Sequence, residues 1–111
     1  MGDNQPPLEI SVGDLAGWRQ SGVDLQLLDV REPWEVALCA IDGAVHIPLG
    51  QLPKRVGELE KGRLLAVYCR SGRRSLDATH WLRAQGFTQA TNVIGGILAW
   101  AREIDSSVTM Y

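Results

Sequence analysis

The chain has 111 residues, which is room for the core of one ordinary domain. Apolar residues make up 45% of it and charged residues 22%, a balance typical of a folded globular protein and not of a disordered chain. The formal net charge of −2 argues against nucleic acid as a partner, and no apolar run approaches the roughly 20 residues that cross a membrane.

Segments with the pattern of a helix alternate along the chain with short apolar runs typical of buried strands. The first helix opens at Ser11, because Ser11 and Asp14 have the spacing of a capping box. Pro33 occupies a first helical position, and Gly62 and Gly86 follow two later helices as stops. The predicted helices are 11–20, 33–38, 52–60, 75–85 and 97–104, and the predicted strands are 25–30, 44–47, 64–68 and 90–94.

This alternation predicts one α/β domain over residues 1–111 with a largely parallel central sheet. We expect residues 1–7 to be a flexible tail and residues 105–111 to be a C-terminal tail. Ligands of such sheets bind beyond the carboxyl ends of the strands. The predicted strand 64–68 ends one residue before Cys69, which places this cysteine where a ligand would bind.

Cys69 is the predicted nucleophile. An ordinary cysteine, with a pKa of about 8.5, is mostly protonated at neutral pH, but a helix N-terminus or nearby cations lower that pKa to roughly 3.5–7.5. Both features follow Cys69 directly, and Gly72 allows successive N–H groups to turn toward a bound anion. The residues expected to bind an anionic substrate beside it are Arg70, Ser71, Gly72, Arg73, Arg74 and Ser75.

Other residues are expected to have structural roles around this site. Asp29 and Arg31 are expected to form a salt bridge below the rim of this site. The four tryptophans are expected to serve in packing, with Trp34 the one nearest a pocket mouth. Cys39 has no basic neighbours in sequence and is interpreted as a small buried hydrophobe. Cys39 and Cys69 could form a disulfide, but residues 1–7 do not resemble a secretion signal, so we expect a cytoplasmic protein with reduced thiols.

Neither a metal nor an organic cofactor is expected. His46 and His80 have no metal-ligand spacing with each other or with the cysteines. The pair Gly95-Gly96 does not continue into the glycine pattern of a dinucleotide site.

Four motifs, taken in order, resemble those of a single-domain rhodanese, a sulfurtransferase module. They are residues 27–32 with Glu35, 41–44 leading to Ile47-Pro48, 67–75 and 95–100. One stretch departs from the pattern, because Asp42 stands where the family often has proline and Cys39-Ala40 where it often has Gly-His. The final residues, 103–111, resemble the tails of rhodanese domains appended to the adenylyltransferases of molybdopterin and thiamine synthesis.

The resemblance implies a three-layer domain with about five strands and a cofactor-free sulfur transfer. Cys69 would take a sulfane sulfur from a small anionic donor, such as thiosulfate or a persulfide, and hold it as its own persulfide. Cyanide, a thiol or a sulfur-carrier protein would then accept the sulfur, with neither nucleic acid nor membrane involved.

Two alternatives stay open at this point. One is a phosphatase or arsenate reductase of the same fold, which would carry an arginine at the position of Ser75, one residue after Arg74. The other is a non-catalytic module that senses persulfide.

Overall fold

The computed structural model describes residues 5–111, so positions 1–4 of the expected tail lie outside the described residues. The strands are Glu9–Ile10 (β1), Leu25–Asp29 (β2), Val45–His46 (β3), Leu64–Tyr68 (β4) and Ala90–Val93 (β5). The α-helices are Val12–Gln20 (α1), Pro33–Leu38 (α2), Leu52–Arg55 (α3), Arg73–Ala84 (α4) and Gly96–Glu103 (α5), with 3₁₀ turns at Leu49–Gln51 and Val56–Glu58 on either side of α3.

The five strands form one parallel sheet in the order β1-β5-β4-β2-β3. Successive strand residues point to opposite faces, so Leu27 and Ala66 belong to one apolar layer and Leu28 and Val67 to the other. Helix α4 packs on the face that contains Leu28, whereas α1 and α5 cover the opposite face. The predicted three-layer α/β fold is therefore confirmed.

The register of the sheet determines which loops meet. Asp29 at the end of β2 lies opposite Tyr68 at the end of β4, and Val67 lies opposite Asn92 near the end of β5. The chain segments that follow these three strands consequently gather at one edge, as parallel sheets require. Cys69 leaves the sheet in the middle of this edge, because β4 is the central strand.

The structure differs from the sequence prediction at several positions. Strand β1 was not predicted, because it has only two residues and forms through pairing with distant β5. The predicted continuous helix 52–60 is wrong: α3 spans four residues and Val56–Glu58 is a 3₁₀ turn. Pro6 and Pro7, placed in the flexible tail, accept hydrogen bonds from Arg83 and Thr91 through their carbonyl oxygens.

The helices of residues 5–111 are all too short, or too polar, to cross a membrane. Helix α4, the longest of the α-helices described, has 12 residues and starts at Arg73, two residues before the predicted start. Gly72 precedes it with φ 102°, a left-handed conformation that glycine adopts without strain. This early start brings the first turn of α4 directly against the loop that follows β4.

Candidate active site

Three hydrogen-bond donors converge on the sulfur of Cys69. The N–H of Gly72 lies 3.2 Å from Sγ, and the N–H of Ser75 lies 3.4 Å from it. The hydroxyl of Ser75 donates to the same atom over 3.3 Å. The loop between β4 and α4 therefore wraps around the sulfur atom, with main-chain N–H groups and one hydroxyl directed inward.

Two opposing effects set the pKa of the Cys69 thiol. Cys69 is only 1% exposed, and this burial raises the pKa because a low-dielectric setting disfavours the thiolate. Hydrogen bonds from the Ser75 hydroxyl and from the main chain of Ser75, Gly72 and Ser71 favour the thiolate and outweigh burial. The pKa of the Cys69 thiol therefore lies below that of an ordinary cysteine. A lowered pKa increases the fraction of thiolate, which is the nucleophilic form.

Helix α5 holds the same loop from behind. The N–H groups of Ile97 and Leu98 donate to the main-chain oxygens of Cys69 and Arg70, over 2.9 and 3.1 Å. A Cβ atom at Gly96 would collide with both of these oxygens, so only glycine permits this approach. Because these two carbonyl groups point toward α5, the N–H groups of the loop can point toward the sulfur.

Asn92 adds a side-chain contact to this rear support. Its Nδ2 donates to the main-chain oxygen of Gly72 over 3.1 Å and to Oε2 of Glu9 over 2.9 Å. Sequence analysis missed Asn92 and did not include Gly95-Gly96 among the site residues. The available signal was their position at the end of β5, the strand next to β4 in the sheet.

The three loop arginines, which are expected to attract an anionic substrate, have different partners in the structure. Arg74 forms a two-pronged ion pair with Glu35, at 2.7 and 2.8 Å, and this contact lowers the pKa of Glu35 to about 2. Arg70 donates to the main-chain oxygen of Tyr111, with its Nε at 2.7 Å. Arg73 is exposed, and its side chain has no hydrogen bond or ion pair within residues 5–111.

Asp29 and Arg31 form the expected salt bridge, and both are buried. The guanidinium of Arg31 contacts Asp29 through Nε at 3.0 Å and Nη2 at 2.7 Å. It also reaches Cys39, whose carbonyl oxygen lies 2.7 Å from Nη2 and whose Sγ lies 3.9 Å from Nη1. Cys39 therefore does have a basic neighbour in the folded protein. Sequence analysis missed it because Arg31 is eight positions away along the chain.

Residues 11–103 match the model of the rhodanese-like domain. The chain belongs to this family. The match spans every element from the cap of α1 to the end of α5, and with it all of the loop around Cys69. The resemblance drawn from the four motifs is confirmed.

Relatives of this rhodanese-like domain are found both alone and within larger proteins. A sulfurtransferase of Allochromatium vinosum is 43% identical over 79 residues, which cover 71% of this chain and 74% of that protein. The probable adenylyltransferase/sulfurtransferase MoeZ of Mycobacterium tuberculosis is 36% identical over 104 residues, covering 92% of this chain and 26% of MoeZ. A crystal structure of a rhodanese-related protein from Thermoplasma volcanium superimposes with a TM-score of 0.82 at 30% identity, covering 95% of this chain and all of that one.

Residues 105–111, the expected C-terminal tail, follow the segment that matches the family and fold back onto the site. The hydroxyl of Tyr111 accepts a hydrogen bond from Nη1 of Arg31 and donates one to Oε1 of Glu35, each over 2.9 Å. The ring of Tyr111 meets Trp34 edge-on at 6.1 Å between centroids. Trp34 is 63% exposed and lies at the rim of the site, in keeping with its expected position near a pocket mouth.

The geometry weighs against the phosphatase alternative. The position that would carry the anion-gripping arginine holds Ser75, which uses both its N–H and its hydroxyl on the sulfur. Arg74, one residue earlier, is engaged with Glu35. A tetrahedral oxyanion would therefore lack the two-pronged arginine contact that such enzymes use. Among residues 5–111, no three His, Cys, Asp or Glu side chains lie close enough together to hold a metal ion.

Proposed function

We propose that this rhodanese-like domain is a sulfurtransferase in which Cys69 carries the transferred sulfur as a persulfide. The observation that supports this most directly is the set of donors from Gly72 and Ser75 around Sγ. These groups stabilise an anionic sulfur without a metal or an organic cofactor. The names of the relatives, a sulfurtransferase and an adenylyltransferase/sulfurtransferase, support the same reaction class.

The reaction proceeds in two half-reactions. In the first, the Cys69 thiolate attacks the outer sulfur of thiosulfate or of a persulfide donor. A new S–S bond forms, the S–S bond of the donor breaks, and sulfite or a thiolate leaves with the electron pair. In the second, cyanide or an acceptor thiolate attacks the outer sulfur of the Cys69 persulfide, and the Cys69 thiolate departs. The covalent intermediate predicts ping-pong kinetics.

Different parts of the loop have different roles in this proposal. The main chain of residues 70–75 binds the sulfur, together with the hydroxyl of Ser75. The exposed guanidinium of Arg73 attracts the anionic donor, assisted by Arg70 when that side chain is free. The buried Asp29–Arg31 pair supports the rim from below.

The proposed partners are a small anionic sulfur donor and an acceptor thiol, either a small molecule or a sulfur-carrier protein. The similarity to MoeZ supports a protein partner, although this chain spans only about a quarter of MoeZ. The proposal includes a cytoplasmic location, since Cys39 and Cys69 are both free thiols.

Intact mass measurement tests the proposal. Incubation with thiosulfate should add the mass of one sulfur atom, and cyanide or a thiol should remove it. Cys69→Ser should abolish the increment, whereas Cys39→Ser, which retains the loop, should preserve it. The absence of any increment in the wild-type protein, together with turnover of an aryl phosphate, would establish the phosphatase alternative instead. An increment that cyanide and thiols both leave in place would favour the sensing module.

A further inference from the structure

Tyr111 makes two sets of contacts beside Cys69, one buried and one exposed. Its hydroxyl lies between Arg31 and Glu35, both of which are buried. Its main-chain oxygen accepts hydrogen bonds from Nε and Nη2 of Arg70, which is exposed. The ring also lies beside this guanidinium, 5.2 Å from ring centroid to Cζ. The anchored end of Tyr111 is therefore buried, while the end that meets Arg70 faces solvent.

The preceding residues direct Tyr111 to this position. Asp105 accepts hydrogen bonds from the N–H and hydroxyl of Ser107, and the N–H of Val108 donates to the carbonyl oxygen of Asp105. Val108 then packs against the apolar layer below α5. The turn and the apolar contact bring the chain back across the edge of the sheet, so the contact with Arg70 belongs to an ordered path.

The contact changes the charge that a donor meets at the loop. Arg74 is neutralised by Glu35, and Arg70 is occupied by Tyr111. Within residues 5–111, Arg73 is thus the one loop arginine whose charged group has no partner. A dianion such as thiosulfate gains more from a second free guanidinium than a neutral or singly charged persulfide does.

We propose that Tyr111 is a specificity-determining residue that withholds Arg70 from small dianionic sulfur donors. With Tyr111 docked, the site favours persulfide donors of low charge, and thiosulfate is used well only when Arg70 is released. The inference rests on the proposed sulfur transfer for its biological meaning. Its physical content is the charge presented to any anion that approaches Cys69, and this can be measured without sulfur transfer.

Alkylation of Cys69 provides that measurement. Iodoacetate and iodoacetamide have similar size but differ by one negative charge, so the ratio of their rate constants reports the cationic field at the sulfur. All proteins carry Cys39→Ser, so that Cys69 is the only thiol. Tyr111→Ala should raise the iodoacetate-to-iodoacetamide ratio by about 3- to 10-fold, the effect of one partly solvated charge. Met110→Ala, a change in the exposed preceding residue, should leave the ratio unchanged.

A double variant distinguishes the effect of the Arg70 charge from the effect of easier access to Cys69. Adding Arg70→Gln to Tyr111→Ala should abolish the gain in ratio, because the released cation is then absent. A gain that persists without Arg70 would show that removal of the ring merely opened the site, and the proposal would fail. An unchanged ratio in Tyr111→Ala would overturn it as well.

Tyr111→Phe keeps the proposal testable if Tyr111→Ala does not fold. It retains the ring but loses the contacts with Arg31 and Glu35. The ratio should rise, though by less than in Tyr111→Ala, and a ratio equal to wild type would contradict the anchoring role. In turnover, Tyr111→Phe should lower KM for thiosulfate while leaving KM for a neutral persulfide donor unchanged. If no variant transfers sulfur but the alkylation ratios change as expected, the proposed function fails and the assignment of Tyr111 stands.

Discussion

The hydroxyl of Ser75 makes the largest contribution that lowers the pKa of the Cys69 thiol. It donates to Sγ over 3.3 Å in a buried setting. A hydrogen bond to a charged group contributes roughly 1.5–3 kcal/mol, and 1.36 kcal/mol corresponds to one pKa unit. The contact is long, so we take the lower value and expect Ser75→Ala to raise the pKa of the thiol by about 1. Alkylation at neutral pH should slow accordingly, because less thiolate is present.

The assay is the pH profile of iodoacetamide alkylation in a Cys39→Ser background, read by intact mass. Ser71→Ala is the matched control: it removes the same atom from an exposed neighbour in the same loop, so its profile should overlay that of the parent. A thermal unfolding measurement on each variant serves as the control for folding. A profile for Ser75→Ala that overlays the parent would refute the reasoning, since the thiolate would then owe nothing to this hydroxyl. An equal displacement in Ser71→Ala would refute it too.

Two further predictions concern the support of the loop. The pKa of Glu35 is lowered from 4.5 to about 2, so its pair with Arg74 stabilises the fold above about pH 4.5 and is lost as pH falls toward 2. Denaturant unfolding across this range should show a loss of about 2–3 kcal/mol in wild type that is largely absent in Glu35→Gln. Gly96→Ala should abolish sulfur loading, because its Cβ would meet the carbonyl oxygens behind Cys69, whereas Gly57→Ala, at a site with open space, should load like wild type. Normal loading by Gly96→Ala would contradict the rear-support role of α5.

The sequence contained enough information to predict the sheet and the N–H groups around Cys69, because both arise from local patterns. Apolar runs of four to six residues specify buried strands, and a cysteine followed by Gly72 and a helix specifies a ring of N–H groups. The capping box at Ser11 is likewise a local pattern, and both of its hydrogen bonds are present in the structure. Predictions of this kind need only neighbouring residues, which is why they succeeded.

The hydrogen-bond and ion-pair partners of the arginine side chains could not be predicted in the same way. Arg74 pairs with Glu35, 39 positions away, and Arg70 meets Tyr111, 41 positions away. A long flexible side chain can reach many partners, and only the packed structure selects one. Proximity to Cys69 in sequence therefore does not reveal which partner each arginine side chain contacts. The short strand β1 escaped prediction for a related reason, since its existence depends on its partner and not on its own two residues.

Most of the groups that surround the sulfur are amides of the polypeptide, which every residue type except proline supplies. The exposed side chains at positions 70, 71 and 73 can consequently vary without removing the hydrogen bonds that lower the pKa of the Cys69 thiol. In the proposed sulfur transfer, donor preference and nucleophilicity therefore depend on different atoms around Cys69. An engineer could alter the first by exchanging exposed side chains, and evolution could have diversified sulfur sources by the same route.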